Sequence, residues 1–139
     1  MQTTSQITIS HTSAIALTQA AVEYASAHNM AIATCVVDIH GRTLALQVMN
    51  GASLIADELV LRKAKTALLG LSTEAFASAV SAVASVEKSM LALEQITLLG
   101  GGYPLLQGDV VIGGFAVGGA TVDMDMACAE AALKFVDNK

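Results

Sequence analysis

Lys63 and Thr66 stand three residues apart in "RKAKTAL", a spacing that puts an ammonium and a hydroxyl on one helix turn. Together they could hold a carboxylate, with the lysine acting as a point charge. The competing reading is a solvated Lys63, or one paired with Asp57 or Glu58 on its own helix. Asp123 and Asp125 in "TVDMD" could form an acid pair, or could serve as helix-start acids favoured by the dipole. Tyr103, beside the chain's one proline at Pro104, is placed to line a pocket. The histidines His11, His28 and His40 lack metal-ligand spacing of the H-E-x-x-H kind, so nothing points to zinc. His11 borders a helix start, His28 suits a helix C-terminus, and His40 in "DIHGR" is a turn residue. Cys35 and Cys128 are far apart in apolar segments, as expected of reduced core thiols in a cytoplasmic protein. No Ser-His-Asp or Cys-His order emerges from spacing, and catalytic residues stay unassigned.

Eight glycines fall between positions 100 and 120: Gly100, Gly101, Gly102, Gly108, Gly113, Gly114, Gly118 and Gly119. A phosphate-binding loop needs Lys and Ser/Thr where Gly119 and Ala120 stand. A dinucleotide fingerprint needs glycine where Leu105 stands. Both nucleotide readings fail. "VVIGGFAV" is too apolar for a linker, which leaves a hairpin. Gly113 and Gly114 keep its second strand bare, so that a helix or a flat ligand can lie against it.

These residues need a scaffold, and the sequence outlines one. Ser10 or Thr12 caps a helix over 11–28, closed by Asn29. Two apolar runs joined through Gly41 form a β-hairpin, and their continuous hydrophobicity predicts that both faces are covered. A second helix spans 53–70, with Glu58 four residues before Arg62 in the favourable order for an ion pair. One or two short helices follow. "ITLLGGGYPLL" is then a strand running into a turn, "GDVVIGGFAVGGA" a turn and a strand, and Thr121 opens the last helix. Strands in hairpin pairs among helices define an α+β (mixed α/β) domain.

At 139 residues this is one domain, 1–139, large enough to fold on its own core. Hydrophobic residues make up 54% and charged residues only 14%. A monomer of that composition could not cover itself with polar groups, so a homo-oligomer is expected. The net charge is −5, which with no basic stripe argues against nucleic acid. The absence of a long apolar run argues against a membrane partner, and the polar "MQTTSQITIS" does not resemble a signal peptide.

"CVVDIHGRTLALQVMNGA", "RKAKTAL" and "GGGYPLLQGDVVIGGFAVGGATVDMD", in that order, resemble the GlcG/HbpS haem-binding family, which includes the C-terminal domain of some cobalamin adenosyltransferases. The resemblance runs from Ile7 to about Phe135. It implies a profilin-like antiparallel sheet of about five strands flanked by helices, even-numbered assembly, and a haem or related tetrapyrrole ligand linked to diol, glycolate or corrinoid-dependent catabolism. It carries Lys63, Thr66, Gly101, Gly102 and Asp125 over as ligand-binding residues, to which Tyr103 is added. His11 becomes the haem-iron ligand and Lys63 a partner for a haem propionate. Val48 and Gly118 stand where the family often has Arg and Ser, and Asn50 where it has Asp. The alternative is a small catabolic enzyme or accessory subunit acting on an organic acid or diol-derived metabolite. The poverty of catalytic side chains favours binding.

Overall fold

The computed structural model describes residues 1–138. Ser10 starts α1 (His11–Ala27) by accepting the Ser13 N–H at 3.2 Å, and Asn29 follows the helix in the left-handed conformation at φ 54°. The strands β1 (Ala33–Asp38) and β2 (Thr43–Val48) form the expected hairpin. Asp38 makes its turn: one carboxylate oxygen accepts the His40 and Arg42 N–H groups, each at 2.9 Å, while Gly41 takes φ 78°. That is an Asx-type turn, and it accounts for an Asp after the first strand.

The second helix, α2, covers Ala56–Ala67 and is shorter than the 53–70 expected. Two short helices follow, α3 (Thr73–Ser81) and α4 (Ala84–Leu91). The glycine hairpin consists of β3 (Gly102–Gln107) and β4 (Val110–Gly118), turning at Gly108. The last helix, α5 (Val122–Asp137), is capped by Thr121, whose hydroxyl accepts the Met124 N–H at 3.2 Å.

All pairing is antiparallel, in the order β2-β1-β4-β3. The sheet has four strands among the described residues, one fewer than expected. The run "ITLLG", read as a strand, lies outside the sheet: the Thr97 N–H is committed to the Thr66 hydroxyl at 3.0 Å, and Gly101 bends the chain at φ 115°. The strand begins only at Gly102, so the segment read as a turn is itself β3. Pro104 is tolerated there because β3 is an edge strand.

Alternation along β1 and β4 divides the core in two. Ile32, Val36, Phe115 and Val117 pack under α1 and α5, against Leu17, Ala21, Cys128 and Ala132. Ala33, Cys35, Val37 and Ala116 pack under α2, against Ala56, Val60 and Ala64. β1 is buried along its whole length, as its composition predicts. β2 is not: it lies at an edge, and Leu46 and Val48 are exposed.

The bare strand receives a helix. Gly114, Ala116 and Gly118 are alternate residues of β4, and α2 lies across them. A methyl group on Gly114 would overlap the Ala64 carbonyl oxygen. One on Gly118 would come within 2.9 Å of Val60, and one on Gly102 within 2.5 Å of the Lys63 carbonyl oxygen. Side chains at these positions would hold α2 off the sheet, which is why glycine sits inside a strand that it otherwise weakens.

Candidate functional site

Seating α2 this deeply carries Lys63 into the interior. Its side chain lies on the buried stripe Ala56, Val60, Lys63, Ala67 and is only 2% exposed. The Lys63 ammonium donates to the Val117 carbonyl at 3.0 Å and to Asp125 Oδ2 at 3.1 Å. Asp125, in the first turn of α5, also accepts the Ala120 N–H at 3.0 Å. Two glycines make room for the pair: a Cβ on Gly101 would stand 3.1 Å from the ammonium, and one on Gly118 would stand 3.4 Å from it. Burial raises the Asp125 carboxyl above its ordinary range, and the Lys63 charge, its hydrogen bond and the Ala120 N–H pull the other way.

The expectation of a solvated Lys63, or one paired with Asp57 or Glu58, is therefore corrected. The predicted pair on that helix face is Arg62–Glu58, at 3.2 Å. Asp125 is likewise more than a helix-start acid, because it bridges α5 to α2.

The other candidates separate. The Thr66 hydroxyl donates to the Arg62 carbonyl at 2.8 Å and receives the Thr97 N–H, so it ties α2 to the segment before β3. The Gly102 N–H donates to the Thr73 hydroxyl at 2.9 Å. Tyr103 donates its phenol to Glu130 at 2.9 Å, and burial with that carboxylate pushes the phenol up. Lys63, Gly101 and Asp125 thus converge with Gly118, while Thr66 and Tyr103 serve different contacts. Thr97, Thr73 and the Val117 carbonyl were not found from sequence, since each acts through a partner distant along the chain.

The three imidazoles differ. His28 is stacked on Tyr24 with ring centroids 3.9 Å apart, and its Nδ1 lies 2.8 Å from the Tyr24 carbonyl. His40 is exposed in the hairpin turn. His11 is exposed in the first turn of α1, one turn before Ile15, which is itself 54% exposed. Cys35 and Cys128 are free and buried, and burial pushes each thiol up to about 12. Among the described residues, no three His, Cys, Asp or Glu side chains converge to hold a metal ion, and no helix is long and apolar enough to cross a membrane.

One open groove of about 380 Å³ lies between α1, α5 and the outer hairpin, walled by Leu17, Leu105, Ile112, Leu133 and Val136. A smaller polar cleft of about 200 Å³ separates Arg62 and Lys65 from Glu94 and Gln95. In it the Lys65 ammonium donates to Gln95 at 2.9 Å.

A four-stranded antiparallel sheet held between α1/α5 and a glycine-seated α2, with a Lys–Asp pair locking the seat, defines a class of small α+β domain. The chain belongs to the haem degrading protein HbpS-like family, whose pattern it matches over residues 9–134. The ORFY protein of Klebsiella pneumoniae has this fold. Its crystal structure superimposes with a TM-score of 0.90 at 31% identity, covering 100% of this chain and 98% of that one. A crystal structure of a PduOC–haem complex superimposes with a TM-score of 0.83 at 30% identity, covering 92% and 94% of the two chains. The corrinoid adenosyltransferase PduO of Salmonella typhimurium is 31% identical over 123 residues, 87% of this chain. This chain spans only 37% of that enzyme's length.

Proposed function

We propose that this protein binds haem or a related tetrapyrrole, as an even-numbered homo-oligomer in the cytoplasm, in support of corrinoid-dependent diol catabolism rather than as an enzyme itself. The observation that carries the reading is the haem complex of a relative that shares the fold and 30% of its residues. The corrinoid adenosyltransferase relative supports the metabolic setting.

The residues of this chain fit a haem at one point above others. His11 presents an exposed imidazole on a rigid helix turn, and imidazole is a common axial ligand of haem iron. Ile15, one turn on, offers apolar contact to a flat macrocycle. When bound, the haem supplies the iron and its redox chemistry, while the chain supplies the ligand nitrogen and the apolar wall. Lys63 already holds a carboxylate, so it would receive a propionate only in exchange for Asp125. In this reading Gly101, Gly102, Thr66 and Asp125 hold the fold together around α2, and Tyr103 ties β3 to α5 through Glu130, without touching the haem.

The test is a haem titration followed by absorbance in wild type, His11→Ala and Lys63→Ala. The expected result is a saturable Soret shift in wild type that is lost in His11→Ala, with far-UV circular dichroism unchanged. A shift that survives in His11→Ala removes this residue from the site. No saturable shift in wild type overturns haem binding and favours the catabolic-enzyme alternative.

A further inference from the structure

Gly113 makes room on the face of the sheet opposite to that of Gly114 and Gly118, since neighbouring strand residues point to opposite sides. A Cβ there would stand 2.8 Å from the Ile9 side chain. The segment before α1 is pinned over this gap. The Ile9 N–H donates to the Ile112 carbonyl at 2.8 Å, and the Thr8 hydroxyl donates to the same carbonyl at 3.2 Å while accepting the Ile39 N–H at 3.1 Å. Ile9 thereby becomes a fixed wall of the apolar groove between α1, α5 and the outer hairpin.

That groove has the build of a small-molecule site. Its volume of about 380 Å³ falls within the roughly 300–1,000 Å³ of such sites, which are mostly apolar with a few polar groups. Leu17 and Leu105, both buried, form its floor. At the exposed rim stands Asp137, the one ionisable side chain in the wall among the described residues. Its carboxylate has no ion-pair partner among them, Lys134 one turn back included. Asp137 also ends α5, where the helix dipole adds partial negative charge. His11 stands two residues before the wall residue Ser13, about 200° round the helix, so it faces away from the groove.

We propose that this groove is a second ligand site, for an aliphatic amine in its ammonium form. The chain lies along Leu17, Leu105 and Ile112, and the ammonium pairs with Asp137. Charge selects this occupant. A fatty carboxylate of the same length would meet Asp137 and the negative end of α5, in a protein whose net charge is already −5. A pair at an exposed rim adds little attraction, so the buried chain supplies most of the affinity and the charge supplies the discrimination. The site lies apart from His11 and does not rest on the haem reading.

The experiment titrates wild type, Asp137→Asn and His11→Ala with octylammonium and with octanoate at pH 7, followed by the methyl NMR signals of Ile, Leu and Val. The expected result is a saturable shift at Leu17, Leu105 and Ile112 with octylammonium, and weaker binding of octanoate. In Asp137→Asn, octylammonium should bind about two- to fivefold more weakly and octanoate more tightly. His11→Ala should bind octylammonium as wild type does, so a failed haem titration leaves this result standing. Equal affinity for the two probes, or octylammonium binding unchanged in Asp137→Asn, overturns the cationic ligand. No saturable shift at these methyls overturns the site. If, in addition, the mass by light scattering falls in Leu106→Lys, the groove belongs to a second copy.

Discussion

Lys63 and Asp125, 62 positions apart in sequence, meet at 3.1 Å with their side chains 2% and 3% exposed. The contact joins the middle of α2 to the first turn of α5, and through the Val117 carbonyl it also joins the end of β4. Desolvation of two charges offsets most of what their attraction returns, so the pair specifies the arrangement more than it stabilises it.

Breaking the pair on one side should therefore be worse than removing it. Lys63→Met alone is expected to destabilise by about 3–5 kcal/mol, because Asp125 is left buried without its partner. The double variant Lys63→Met/Asp125→Leu should recover at least half of that loss. Urea unfolding of the three proteins measures both quantities. A double variant no more stable than the single would show that the pair is itself the source of stability.

The same pair sets a pH dependence. The folded-state Asp125 carboxyl is raised above its ordinary value, so the folded protein holds a proton that the unfolded chain releases. Its contribution is fully present below the ordinary carboxylate range and is lost as pH rises through the raised value. Lys63→Met removes the charge that limits this rise, so the deficit of that variant should be small at about pH 4 and larger at about pH 7. Melting temperatures across that interval check it. A deficit that stayed constant would mean Asp125 is not the titrating group.

The glycines of the hairpin should differ sharply in tolerance. At Gly114 a Cβ would overlap the Ala64 carbonyl, so Gly114→Ala must lift α2 from the sheet, at about 1–3 kcal/mol or more, and Gly114→Val should fail to fold. Gly108 has φ 60° and open space around its Cα, so Gly108→Ala meets only the left-handed strain of about 1–2 kcal/mol. Thermal melts of the two alanine variants give the comparison. A stable Gly114→Ala would contradict the helix seat.

Much of this architecture was legible because local patterns carried it. Ser10, Gly41 and Thr121 mark boundaries by their own chemistry, and the bare β4 strand announced close packing before the occupant was known. The burial of Lys63 was not read from the sequence, although Ala56, Val60 and Ala67 fall on its stripe, because a lysine is ordinarily solvated. What no spacing contains is the partner 62 residues away. The same holds for the edges. "TCVVD" and "TLALQV" are equally apolar, yet β1 is central and β2 marginal, because position in a sheet is fixed by which distant strand pairs with which. Thr97 and Thr73 escaped notice for that reason, each holding the backbone or hydroxyl of a segment about 30 residues away.

The central strand depends on late arrivals. β1 pairs with β2 a few residues after it, but its other edge pairs with β4, Ala33 opposite Gly118 and Cys35 opposite Ala116. During synthesis the hairpin of β1 and β2 emerges with both edges open and stays so until most of the chain has been made. The glycines that admit α2 also deprive β4 of any strong tendency to become a strand by itself. Closure of the sheet therefore waits on helix, strand and α5 arriving together, a route dominated by distant contacts and correspondingly slow. In that interval the Leu- and Val-rich hairpin has both edges open to mispairing.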